Sequence, residues 1–151
     1  MQGFYNVTQK IKEALLEDAF VNTVTTGDIF EIDLNKQDIF PLSHMIVNSA
    51  TMESNIHIFN ISLLCMDIVD ESKDEAQDKF IGNDNEQDVL NTQLAVISRL
   101  IERLRRGDLS TDLYQLAASP TLEPFVDRFE NKLAGWTVTF DVEVVNDMTI
   151  C

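Results

Sequence analysis

The sequence predicts an α+β domain in which helices pack on one face of a mostly antiparallel sheet. Three observations predict it: a long strand-patterned stretch beginning at Ile56, a broad helical stripe over Glu86–Arg106, and the alternating run "WTVTFDVEVV" near the C-terminal end. The 151 residues fit a single domain spanning 1–151, and an apolar content of 44% is enough for a core.

In chain order, Asn6 can cap a first helix over residues 7–20, with Val7, Ile11, Ala14 and Leu15 on one stripe. "TTGD" at Thr25 is a turn signal. The segment "DIFEIDL" then alternates, with Phe30, Ile32 and Leu34 on one face, as a half-buried strand does. "SHMIVNSAT" reads as a second strand, turned back by the polar residues 52–55. Residues 56–69 would run about 46 Å as one strand, far beyond the usual five or six residues. Their pattern changes partway. Phe59, Ile61, Leu63 and Cys65 are apolar at odd positions, whereas Leu64, Met66 and Ile68 are apolar at even ones. Such a phase change predicts a β-bulge near Leu63–Leu64 or a strand buried on both faces. It fits a central strand under a helix. It also fits a strand with one end that leaves its own domain and buries Phe59, Ile61, Leu63, Met66 and Ile68 on a neighbouring subunit.

Residues 70–88 hold eight acidic residues and two lysines, with little apolar content beyond Ala76, Phe80 and Ile81. That composition predicts a long acidic loop, with Phe80 and Ile81 as a candidate anchor for a partner. The helix that follows carries Leu90, Leu94, Ile97, Ile101 and Leu104 in steps of four and three, with Gly107 closing it. Residues 114–117 read as a short strand. Pro124, Phe125, Phe129, Leu133 and Gly135 read as a short helix with its stop signal. In the last strand Trp136, Val138, Phe140, Val142 and Val144 point inward.

Charge excludes several classes of function. The net charge is −15, from 26 acidic and 11 basic residues, so the chain lacks the basic stripe that phosphate contacts require. Cys65 and Cys151 form neither a disulfide framework nor a zinc-knuckle spacing, which suits a reduced compartment. The sequence shows no signal-peptide pattern and no apolar run long enough for a membrane span.

Catalytic candidates are sparse. His44 and His57 lie outside any metal-ligand spacing, and the glycines are scattered singly, so no phosphate-cradling loop is expected. "DNEQD" from Asp84 fails as a calcium loop, because Val89 and Ala95 stand where Gly and Glu are needed. A hydrolase using Cys65 with His57 or His44 is the one catalytic alternative. No cofactor and no metal are expected. Arg99, Arg103, Arg105 and Arg106 gather in the last two turns of the long helix. They either complement the helix C-terminus or receive carboxylates from a neighbouring copy.

The stretch "LRRGDLSTDLYQLAASPTLEPFVDRFENKLAGWTVTFDVEV", preceded by "NISLLCMDIVDE", resembles small structural proteins of the tailed-bacteriophage head–tail junction. These are the tail terminator, tail completion and neck ring proteins. The resemblance covers residues 55–151 and rests on layout rather than on a chemical motif. It implies a tail-terminator-like fold and no enzymatic activity. It also implies a ring of six or twelve copies in the virion, made in the host cytoplasm. That ring would join the portal or connector to the tail, touch the adjacent neck and tail proteins, and let DNA pass without specific binding. From charge alone, the alternative is an acidic adaptor that binds a basic protein as a monomer or dimer.

Overall fold

The structure is a computed structural model and describes residues 3–27, 37–70, 85–106, 114–117, 119–128 and 132–145. Helix α1 (Gly3–Leu16) leads through the short strand β1 (Thr23–Thr26) and a 3-10 turn (Gln37–Ile39) into β2 (Leu42–Met52) and β3 (Ile56–Ile68). Helix α2 (Glu86–Arg106) follows, then β4 (Tyr114–Leu116), β5 (Thr121–Arg128) and β6 (Lys132–Val145). The strands form one sheet in the order β1-β2-β3-β6-β4, and β5 also pairs with β6. Among the described residues, only the β1–β2 pair is parallel. Both helices cover the same face, so this is the α+β architecture that the sequence predicts.

β3 is the centre of the sheet. It pairs with β6 without interruption from Ile56↔Val145 to Ile68↔Leu133, and with β2 on its other side. The bulge expected at Leu63–Leu64 is therefore not there. It lies in β2 instead, where the register shifts between Val47 and Ser49 and leaves Asn48 over. The phase change in β3 has another cause, because the strand serves two cores. Phe59, Ile61, Leu63 and Cys65 pack under α1 and α2 together with Val96, Ile97, Leu100, Val138 and Phe140. Met66, with Leu64 and Ile68, packs on the opposite face against Phe40, Leu42 and Leu133.

The helices form where their apolar stripes meet that sheet. α1 starts earlier than the Asn6 cap predicts, because the chain already turns at Gly3 and Thr8 Oγ1 bonds back to the Phe4 carbonyl at 3.0 Å. Phe4 then meets the Phe59 ring edge-on at 6.2 Å, which rewards the extra turn. α2 has the predicted bounds. Val89 N–H donates to the Asn85 carbonyl to begin the helix, and Trp136 Nε1 donates to the Leu90 carbonyl, tying its first turns to β6.

The short helix expected around Pro124–Gly135 is a strand pair. Thr121↔Thr139 through Arg128↔Lys132 form an antiparallel ladder, because the free edge of β6 offers more hydrogen bonds than one isolated helical turn could. Pro124, which lacks an N–H, is tolerated because β5 is paired on one side only among the described residues. Gly135, read as a helix stop, lies mid-strand, where an added Cβ would come within 2.0 Å of the Cys65 carbonyl oxygen. The predicted strand at 28–34, the stop at Gly107 and most of the acidic stretch fall outside the described residues.

Candidate functional site

Sequence reasoning places interface residues on β3, in the acidic stretch and on α2. The structure places the β3 group and the α2 group in different layers. Phe59, Ile61 and Leu63 are buried beneath the chain's own helices, and so cannot offer apolar surface to a neighbour. Their alternation is that of a central strand. Met66 is buried and Ile68 half-buried in the small cluster on the other face. Phe80 and Ile81 lie outside the described residues.

The arginine cluster is engaged within the chain. Arg99 grips Asp18 with two bonds, Nε to Oδ2 at 2.6 Å and Nη2 to Oδ1 at 2.9 Å, and its guanidinium lies over the Phe20 ring at 5.8 Å. Arg103 Nη1 donates to Glu17 at 2.9 Å. Burial works to raise the Asp18 carboxyl. The Arg99 bonds, the Phe20 amide and the Arg99 charge outweigh it and hold that carboxyl below its ordinary value. The pair thus fastens the end of α1 to the middle of α2. Arg105 and Arg106 differ, since both turn to Glu102 on their own helix, at 3.5 Å and 2.7 Å.

The hydrolase alternative fails on geometry. Cys65 points to the helix side of the sheet and His44 to the other, because their neighbouring ladder positions alternate. His57 is eight residues away along the same strand, about 26 Å at the usual rise. Burial pushes the Cys65 thiol up to about 12, opposed by its contact with Ser43 Oγ at 3.4 Å. That thiol is packing rather than a nucleophile. His44 is spoken for on both ring nitrogens, by Thr25 Oγ1 and the Gly27 carbonyl, each at 2.8 Å. Among the described residues no three His, Cys, Asp or Glu side chains group as metal ligands. No described helix is long and apolar enough to cross a membrane.

A polar surface that sequence reasoning missed lies on the sheet face away from the helices. Asn48, displaced by the β2 bulge, donates both amide hydrogens, to Asn60 Oδ1 at 2.9 Å and to Ser62 Oγ at 2.8 Å. Asn60 Nδ2 passes the chain on to Asp141 Oδ1 at 2.8 Å, and Ser62 Oγ meets Thr139 Oγ1 at 2.9 Å. Three strands are thereby laced together by side chains on a partly exposed surface. Beside the lacing runs a groove of about 330 Å³ lined by Asn60, Thr121, Glu123, Thr137, Thr139 and Asp141. The only signal in the sequence was the polar half of the alternation, which marks an exposed face without saying what crosses it.

Among the described residues, His57 Nε2 and the Gln93 amide are buried without a hydrogen-bond partner. Gln93 sits on the buried side of α2, 1% exposed, and neither of its amide atoms finds a hydrogen bond. Compared with protein-family models and with curated proteins, the chain matches none.

Proposed function

We propose that this chain is a structural subunit of a ring at the head–tail junction of a tailed bacteriophage, a tail terminator or neck ring. The ring joins the portal or connector to the tail and leaves a channel for DNA. The observation that carries this reading is the polar part of the sheet face away from the helices. Helices close one side of the sheet, while the other presents a laced polar surface suited to contact over an area rather than to enclosing a substrate. The resemblance of residues 55–151 to junction proteins supplies the assembly. A wall built from chains at −15 repels phosphates, which suits a conduit that must not hold the genome.

Two-dimensional image averages of the chain co-expressed with the proteins encoded beside it test the reading. Closed rings containing this chain are expected. A monomer or dimer bound to one basic protein in the same preparation would overturn it and favour the acidic adaptor.

A further inference from the structure

We propose that copies of this chain associate head to tail. Arg105 and Arg106 of α2 in one copy enter the polar groove on the sheet face away from the helices in the next. The inference deepens the ring reading and rests on it.

Charge is divided between the layers. Arg99, Arg103, Arg105 and Arg106 all belong to the helix layer. On the opposite face the ladder registers place Glu123, Asp141 and Glu143, and no described Lys or Arg faces that way from the six strands. A two-fold contact between like faces would set carboxylates against carboxylates in a chain already at −15. A heterologous contact sets the arginines against the carboxylates instead, and heterologous contacts are those that close rings of many copies.

The four arginines differ in how firmly they are held. Arg99 and Arg103 are committed to fastening α1, and Arg99 is bound in a two-point grip. Arg105 and Arg106 share the single carboxylate of Glu102 at the end of α2, and the Arg106 side chain is 80% exposed. Ion pairs that open contribute little, so giving one up for an intersubunit partner costs little.

The groove is suited to receive them. Its polar lining can accept hydrogen bonds at the Glu123 and Asp141 carboxylates and at the Thr121, Thr137 and Thr139 hydroxyls. Asn60 holds Asp141 through Oδ1, so that carboxylate is oriented before any guanidinium arrives. A planar fork of five donors matches such an acceptor set better than a point charge does.

Native mass spectrometry across a concentration series, with a thermal melt of each variant, tests the contact. The R105E/R106E variant should keep the wild-type melt and raise the assembly midpoint by about tenfold or more. Glu123→Arg alone should act in the same direction. Combining all three substitutions in one chain should bring the midpoint back towards wild type. Assembly of R105E/R106E at the wild-type midpoint overturns the contact and leaves the ring reading standing. Loss without rescue in the combined variant overturns the pairing with Glu123. A wild-type chain that stays monomeric throughout the series, and in the presence of its neighbours, overturns the ring reading as well.

Discussion

On the helix-covered face of the sheet, Ile61, Leu63 and Val138 are shut away from solvent among other apolar side chains. On the other face, Asn60 holds Asp141, Ser62 meets Thr139, and Asn48 links Asn60 to Ser62, all at a partly open surface. The same three central strands carry both, because side chains alternate along a strand. The dry face contributes stability, since each large apolar side chain removed from water is worth about 1.5–3 kcal/mol. The laced face contributes much less, as hydrogen bonds made at the expense of water net about 1 kcal/mol each. What it offers instead is a surface of fixed shape, and fixed shape is what a partner recognises.

The largest effect should come from removing a side chain on the dry face. Leu63→Ala is expected to cost about 2–5 kcal/mol in urea denaturation, whereas Ser62→Ala, one residue away, should cost about 0.5–1.5 kcal/mol. Equal costs would abolish the distinction between the faces. A smaller effect of opposite sign is expected within the dry face itself. Gln93→Leu replaces an unpartnered amide by an apolar group of similar size and should stabilise the chain by about 1–2 kcal/mol. A loss of stability there would show that the amide is satisfied in solution.

The smallest effect concerns Asp67, on the helix side near the end of β3. Burial raises its carboxyl above the ordinary value; the Ile68 amide offsets this in part and the Asp70 charge adds to it. A raised folded value means that the protonated form favours the fold. This contribution is complete below the ordinary carboxylate range and is lost as pH climbs through the raised value. Asp67→Asn keeps an oxygen for the Ile68 amide. It should melt slightly higher than wild type at neutral pH, with the two curves converging below the ordinary aspartate range.

Much of the dry face was legible in the sequence, since β3, β6 and α2 each carry a long apolar period. The laced face was not. That Asn48 would be displaced by a bulge depends on the registers of β2 and β3, which no local pattern encodes. The arginine cluster was visible as four residues, but its partners Asp18 and Glu17 lie 81 and 86 residues away along the chain. The segment around Pro124 was misread because Phe125, Phe129 and Leu133 happen to fall at helical spacing. A strand edge waiting in β6 decided the outcome. Gly135 had the right identity and the wrong reason attached, its use being room for the Cys65 carbonyl rather than a helix stop.

Asp70 and Asn85 clasp each other where the acidic stretch leaves and rejoins the body. The Asp70 amide donates to Asn85 Oδ1 at 2.7 Å, and the Asn85 amide returns a bond to the Asp70 carbonyl at 3.3 Å. Val69, one residue before, is anchored to the Lys132 carbonyl at 2.9 Å. With both feet pinned, doubling the number of residues between them adds only about 0.6 kcal/mol of closure entropy. Neither the β3 register nor the start of α2 depends on that number. The two feet at Asp70 and Asn85 thus let the sheet and α2 keep their form whatever the count between them.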